Sequence, residues 1–107
     1  MEAQLIDASR EGLTEDVARF IKQGANVMAK DTNDNTPLHN ASYGGHVDTI
    51  RVLLEKGADV NAMGGSGYTP LIHACWNGHI DAGRILLENG ANVNEENEYG
   101  ETPLHCK

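Results

Sequence analysis

The chain has 107 residues, a net charge of −8 at neutral pH and a pI near 4.9. That length is ordinarily one domain, and the acidic balance argues against a nucleic-acid backbone or an anionic membrane surface as partner, since both are held mainly through Lys and Arg. No apolar run approaches the roughly 20 residues of a spanning helix, the opening Met1-Glu2-Ala3-Gln4-Leu5-Ile6-Asp7 has neither the basic start nor the apolar stretch of a secretory signal, and two cysteines 31 residues apart are no disulfide scaffold; an intracellular setting, cytoplasmic or nuclear, is expected.

Repetition dominates the rest. Thr36-Pro37-Leu38-His39 recurs as Thr69-Pro70-Leu71 and as Thr102-Pro103-Leu104-His105, each copy 33 residues after the last. Gly24-Ala25-Asn26-Val27 becomes Gly57-Ala58-Asp59-Val60-Asn61 and then Gly90-Ala91-Asn92-Val93-Asn94, and Gly45-His46-Val47-Asp48 becomes Gly78-His79-Ile80-Asp81. Separate motifs locked to one period define a supersecondary repeat. Each unit buries its apolar face on the next, which relieves a short chain of the need for one large core.

Residues 31–63 display one unit in full. Asp31-Thr32-Asn33-Asp34-Asn35 is dense in turn formers, and Asp34 tolerates the left-handed conformation such a turn needs. Thr36 is a natural N-cap and Pro37 suits the first helical position, so a helix is predicted from Pro37 to about Tyr43, stopped by Gly44-Gly45. A second helix is predicted from Val47 to Lys56, with Val47, Ile50, Leu53 and Leu54 on one face. Asp48 in its first turn and Lys56 in its last suit the macrodipole, and Gly57 caps it. From Ala58 to Tyr68 the chain is an extended connection with Gly64-Gly65-Ser66-Gly67 at its tip. In the next unit Gly83 stands where Ile50 stood, costing about 1 kcal/mol of helix propensity relative to alanine; residues 64–96 are therefore expected to be the softest complete unit.

The pattern closely resembles the ankyrin repeat. Residues 31–63 carry nearly all of the family pattern and residues 64–96 most of it. The resemblance implies an all-α repeat protein, an ankyrin solenoid of helix-turn-helix units joined by hairpin-like loops. In it, 1–30 is an atypical first repeat, 31–63 the second, 64–96 the third and 97–107 a partial fourth. In the first, Leu5-Ile6-Asp7-Ala8-Ser9 stands for one helix and Glu15 to Gln23 for the other, with Val17, Phe20 and Ile21 inward. The family histidine ties neighbouring loops together; Ile72 takes that slot in the third repeat and cannot do so, while His73 takes the slot of Asn40. Residues 103–107 offer barely one turn to cover Ile80, Ile85, Leu86 and Leu87, so a continuing chain, or another copy associating through that end, is expected there.

The five histidines and two cysteines invite a catalytic or metal reading. His39 and His105 belong to the Thr-Pro-Leu-His turn and His46 and His79 follow the inter-helix glycine, leaving only His73 without a place in the pattern. Zinc-type clustered spacing is absent. His73 and Cys75, two apart on a helix, do not face each other, and Cys75 suits a small packed position. Gly64-Gly65-Ser66-Gly67 has neither the lysine nor the preceding strand of a phosphate loop. No enzyme activity, cofactor or metal is expected.

By resemblance the array binds a partner protein through a concave face of loop tips and first helices. Tyr43 and Trp76 share one repeat position, Tyr68 and Tyr99 lie in the loop arms, and only Phe20 of the five aromatic residues reads as core. Tyr and Trp are favoured interface anchors. Arg10, Asn33, Asn35, Ser66, Asn77 and Glu101 are expected to share that surface, and Glu95-Glu96-Asn97-Glu98 suits a basic partner. The resemblance also implies a second role, as substrate of an asparaginyl hydroxylase: Asn61 and Asn94 each follow a valine, eight residues beyond Leu53 and Leu86.

Overall fold

The computed structural model describes residues 1–103; expectations placed on Leu104, His105 and Cys106 lie outside them. Among the described residues six α-helices form three pairs: α1 (Glu2–Glu11) with α2 (Thr14–Lys22), α3 (Pro37–Gly44) with α4 (Val47–Glu55), and α5 (Pro70–Trp76) with α6 (Ile80–Glu88). The first helices stack as a row, α1 on α3 on α5, and the second helices as another, α2 on α4 on α6, in a body 37 × 25 × 20 Å across.

The repeated motifs act locally as their chemistry demands. The Thr36 hydroxyl accepts from the backbone N–H of His39, and Thr69 does the same for Ile72 at 3.2 Å, satisfying N–H groups that a helix start leaves unpaired. Gly45 has two reasons to be glycine. Its φ is 70°, the left-handed region that ends α3, and a Cβ there would lie 2.6 Å from the His79 ring. That ring donates its Nε2 proton to the Tyr43 carbonyl at 2.9 Å, and His46 makes the same bond to the Arg10 carbonyl at 2.9 Å. Each histidine thus closes one repeat onto the end of the previous first helix.

The period continues into the core. Leu5, Leu38 and Leu71 stand 33 apart and are buried, as are Ala8, Ala41 and Ala74 beside them. The alanines let the helix rows approach closely, and the leucines contribute roughly 2 kcal/mol each through burial. Val17 and Ile50 are buried on the second row, with Phe20 and Ile21 packed against the core from its edge.

Three loop tips share one construction. Asp31 N–H bonds to the Asn35 carbonyl at 2.9 Å, Gly64 N–H to Tyr68 at 2.8 Å and Asn97 N–H to Glu101 at 3.0 Å. The fourth tip residue is left-handed each time, with φ of 66° at Asp34, 75° at Gly67 and 74° at Gly100. Aspartate therefore replaces glycine without changing the turn.

One packing expectation for the third repeat needs correction. Ile85 and Leu86 are buried, because α6 turns them onto α4 and α5; only Ile80 and Leu87 of that set stand exposed. Gly83 is itself buried, and an added Cβ would meet Leu71 at 3.7 Å and Cys75 at 3.8 Å, ordinary contact distances. Gly83→Ala should therefore raise stability by about 0.5–1 kcal/mol through helix propensity alone. Urea unfolding of the two proteins measures it, and a destabilised variant would mean the site has no room.

Candidate functional site

The first helices and loop arms meet around His73, the histidine with no place in the repeat pattern. Its ring stacks on Tyr68 at 4.8 Å and 24°, and meets His39 and Tyr43 edge-on, both at 5.7 Å. Burial, with a smaller contribution from His39, pushes His73 down to about 4, so it is neutral at pH 7. Neither of its ring nitrogens is in a hydrogen bond among the described residues.

His39 differs in that both its nitrogens are engaged. Nδ1 accepts from the Thr36 backbone N–H at 3.1 Å, which leaves Nε2 to donate to the Tyr68 carbonyl at 2.9 Å. The tautomer follows from those partners. Burial lowers its pKa too. Ile72, in the equivalent slot, is buried and apolar and makes no such bond. The third and fourth loops are joined differently. Glu98 N–H donates to the Ser66 carbonyl at 2.9 Å, and the Tyr68 hydroxyl donates to Glu101 at 3.2 Å. Buried Asn97 holds Glu101 in place through Nδ2 at 2.7 Å and accepts from its N–H at 3.0 Å. Nothing in the motif pattern announces this substitute tie; only the polar run 95–98 hints at it.

Beside His73 lies a cavity of about 270 Å³ lined by Arg10, Asn35, His39, Asn40, Tyr43, Gly44 and His73. Of the expected surface residues it gathers Arg10, Asn35 and Tyr43, with Tyr68 behind His73. Tyr43 is 59% and Trp76 44% exposed at equivalent ends of α3 and α5. Arg10 holds the same repeat position on α1, so a cation, a phenol and an indole follow one another along the array. Trp76 joins no ring contact among the described residues, whereas Tyr43 packs on His73.

The remaining expected residues lie elsewhere. Tyr99 is 69% exposed at the fourth tip and Asn33 is exposed at the second. Ser66 and Glu101 serve the inter-loop tie described above, and Asn77 donates to the His73 carbonyl at 2.7 Å, capping α5. Asp31 anchors the second loop. Burial pushes its carboxyl upward, but the N–H groups of Asn35 and Asn33 and the Asn40 amide outweigh that and hold it low. Asn61 and Asn94 are both exposed, and Asn61 bridges two repeats, donating to the Gly90 carbonyl at 3.1 Å and accepting from Asn92 N–H at 2.8 Å.

Among the described residues, no group of three or more His, Cys, Asp or Glu is placed to hold a metal, and no helix is long and apolar enough to cross a membrane. The family model described as ankyrin repeats (3 copies) matches residues 5–97, and a second match spans residues 66–106. No curated protein matches the chain.

Proposed function

Because the chain belongs to the ankyrin repeat family, whose members act in general as protein–protein interaction modules and are typically not enzymes, we propose that it binds a partner protein on the face made by α1, α3, α5 and the loop tips. The observation that carries this reading is the pair Tyr43 and Trp76, held half-exposed at one repeat position where the fold gains little from a large ring. Such rings cost little side-chain entropy to immobilise and dominate interface energetics. Exposed Asp34, Glu96 and Glu98 around the tips favour a basic partner by steering its approach.

The test is a pull-down and affinity measurement with Tyr43→Ala/Trp76→Ala beside the unaltered chain. The double variant should bind at least about tenfold more weakly while its helical circular dichroism stays the same. Unchanged affinity would remove this face from contention.

A further inference from the structure

Resting on that reading, we propose that the cavity beside His73 receives a single aromatic side chain with a polar tip, a tyrosine phenol, presented by the partner. Size is the first argument. At about 270 Å³ the space falls just below the usual range for small-molecule sites, yet exceeds the ~150 Å³ that holds a benzene ring. It is fitted to one side chain.

The walls supply the second argument. Tyr43 and His73 stand 72° apart along one side, with Tyr68 and His39 packed behind His73. A further ring would extend a cluster already built on stacked and edge-on contacts, the geometry aromatic rings prefer.

Polar atoms left over in the lining decide the tip. Asn35 spends its Oδ1 on the Gly65 N–H, leaving its Nδ2 without a partner among the described residues. Asn40 spends its Nδ2 on Asp31 and the Thr36 carbonyl, leaving its Oδ1. The neutral His73 ring offers one donor and one acceptor. A hydroxyl, which both donates and accepts, matches this mixed set.

Charge gives neither ion a clear seat. The Arg10 guanidinium in the lining is already paired with Asp7 at 2.9 Å, and the Asp31 carboxylate behind Asn40 is already held by the Asn33 and Asn35 N–H groups and the Asn40 amide. A neutral ring needs no counter-charge, and the guanidinium can lie over its face.

The experiment needs no partner protein. N-acetyl-tyrosinamide is titrated into the full chain and followed by NMR of the Asn side-chain amides and the histidine rings, with N-acetyl-phenylalaninamide, N-acetyl-lysinamide and N-acetyl-glutamate amide as comparisons. The tyrosine compound should shift Asn35, Asn40 and His73 in a saturable way and bind about fivefold more tightly than the phenylalanine compound, the value of one hydrogen bond. His73→Phe, which keeps a ring but removes the nitrogens, should narrow the gap between those two compounds. The pocket assignment is overturned if the tyrosine compound moves none of these signals, if the lysine or glutamate compound binds as well, or if His73→Phe leaves the preference intact. A failed titration with a successful pull-down sinks the phenol and keeps the face; the reverse result sinks the face as the partner's seat and keeps the pocket.

Discussion

His39→Ala should destabilise the chain by about 3 kcal/mol. The ring is 1% exposed and ties the start of α3 to the next loop. Its Nδ1 completes the start of α3 by accepting from the Thr36 N–H, and its Nε2 reaches the Tyr68 carbonyl in the next loop. Alanine would leave a buried N–H without an acceptor and a buried cavity behind, and each loss costs roughly 1–3 kcal/mol. Tyr68 would then stand less firmly behind His73, so the damage should spread toward the third repeat. Against the 5–15 kcal/mol typical of a small domain, this is a large fraction. Equilibrium urea unfolding, read at the midpoint with an unchanged slope, gives the number. A loss under 1 kcal/mol would show that the inter-loop bond carries little, and that the Ile72 position is the norm rather than the exception.

That comparison between His39 and Ile72 also marks where sequence reasoning stops. The helices α3 and α4, the cap at Thr36, and the left-handed Asp34 were legible because each rests on chemistry local to a few residues. Periodicity then set the repeat unit and the apolar face of α4, Val47, Ile50, Leu53 and Leu54. The tie between the third and fourth loops was not legible. It depends on Asn97 being buried and on Tyr68 reaching Glu101, the equivalent position one repeat on, and the motif specifies the side chain at neither place. His73 shows the same limit. Its mismatch with the pattern marked it as unusual, but only the packing of Tyr68, Tyr43 and His39 around it gives the residue a physical role.

Mild acid should weaken the fold through that same residue. The folded pKa of His73 is lowered to about 4, against 6.5 for an unburied imidazole. Between those values the unfolded chain binds more protons than the folded one, so stability falls as pH drops from about 6.5 to about 4 and levels off once the folded ring is also charged. His39, lowered mainly by burial, adds in the same direction. Asp31, held low by its N–H partners, adds a loss only at more acid pH. Allowing for the solvent that reaches part of the ring, His73 alone should account for roughly 2–3 kcal/mol between neutral pH and pH 4, or about 10 °C in melting temperature for a chain of this size. The groups facing the ring explain why nothing rescues the charged form. Tyr68 and Tyr43 supply no counter-charge, and His39, once it takes a proton, repels. His73→Asn restores the side chain that the second repeat carries in this slot and removes the titrating group. Its melting temperature should fall less steeply over that interval than that of the unaltered chain, while both converge above pH 7 apart from a constant offset. Parallel profiles would mean that the His73 ring finds solvent or a counter-charge on protonation, and that its environment is far less closed than the packing of three rings around it implies.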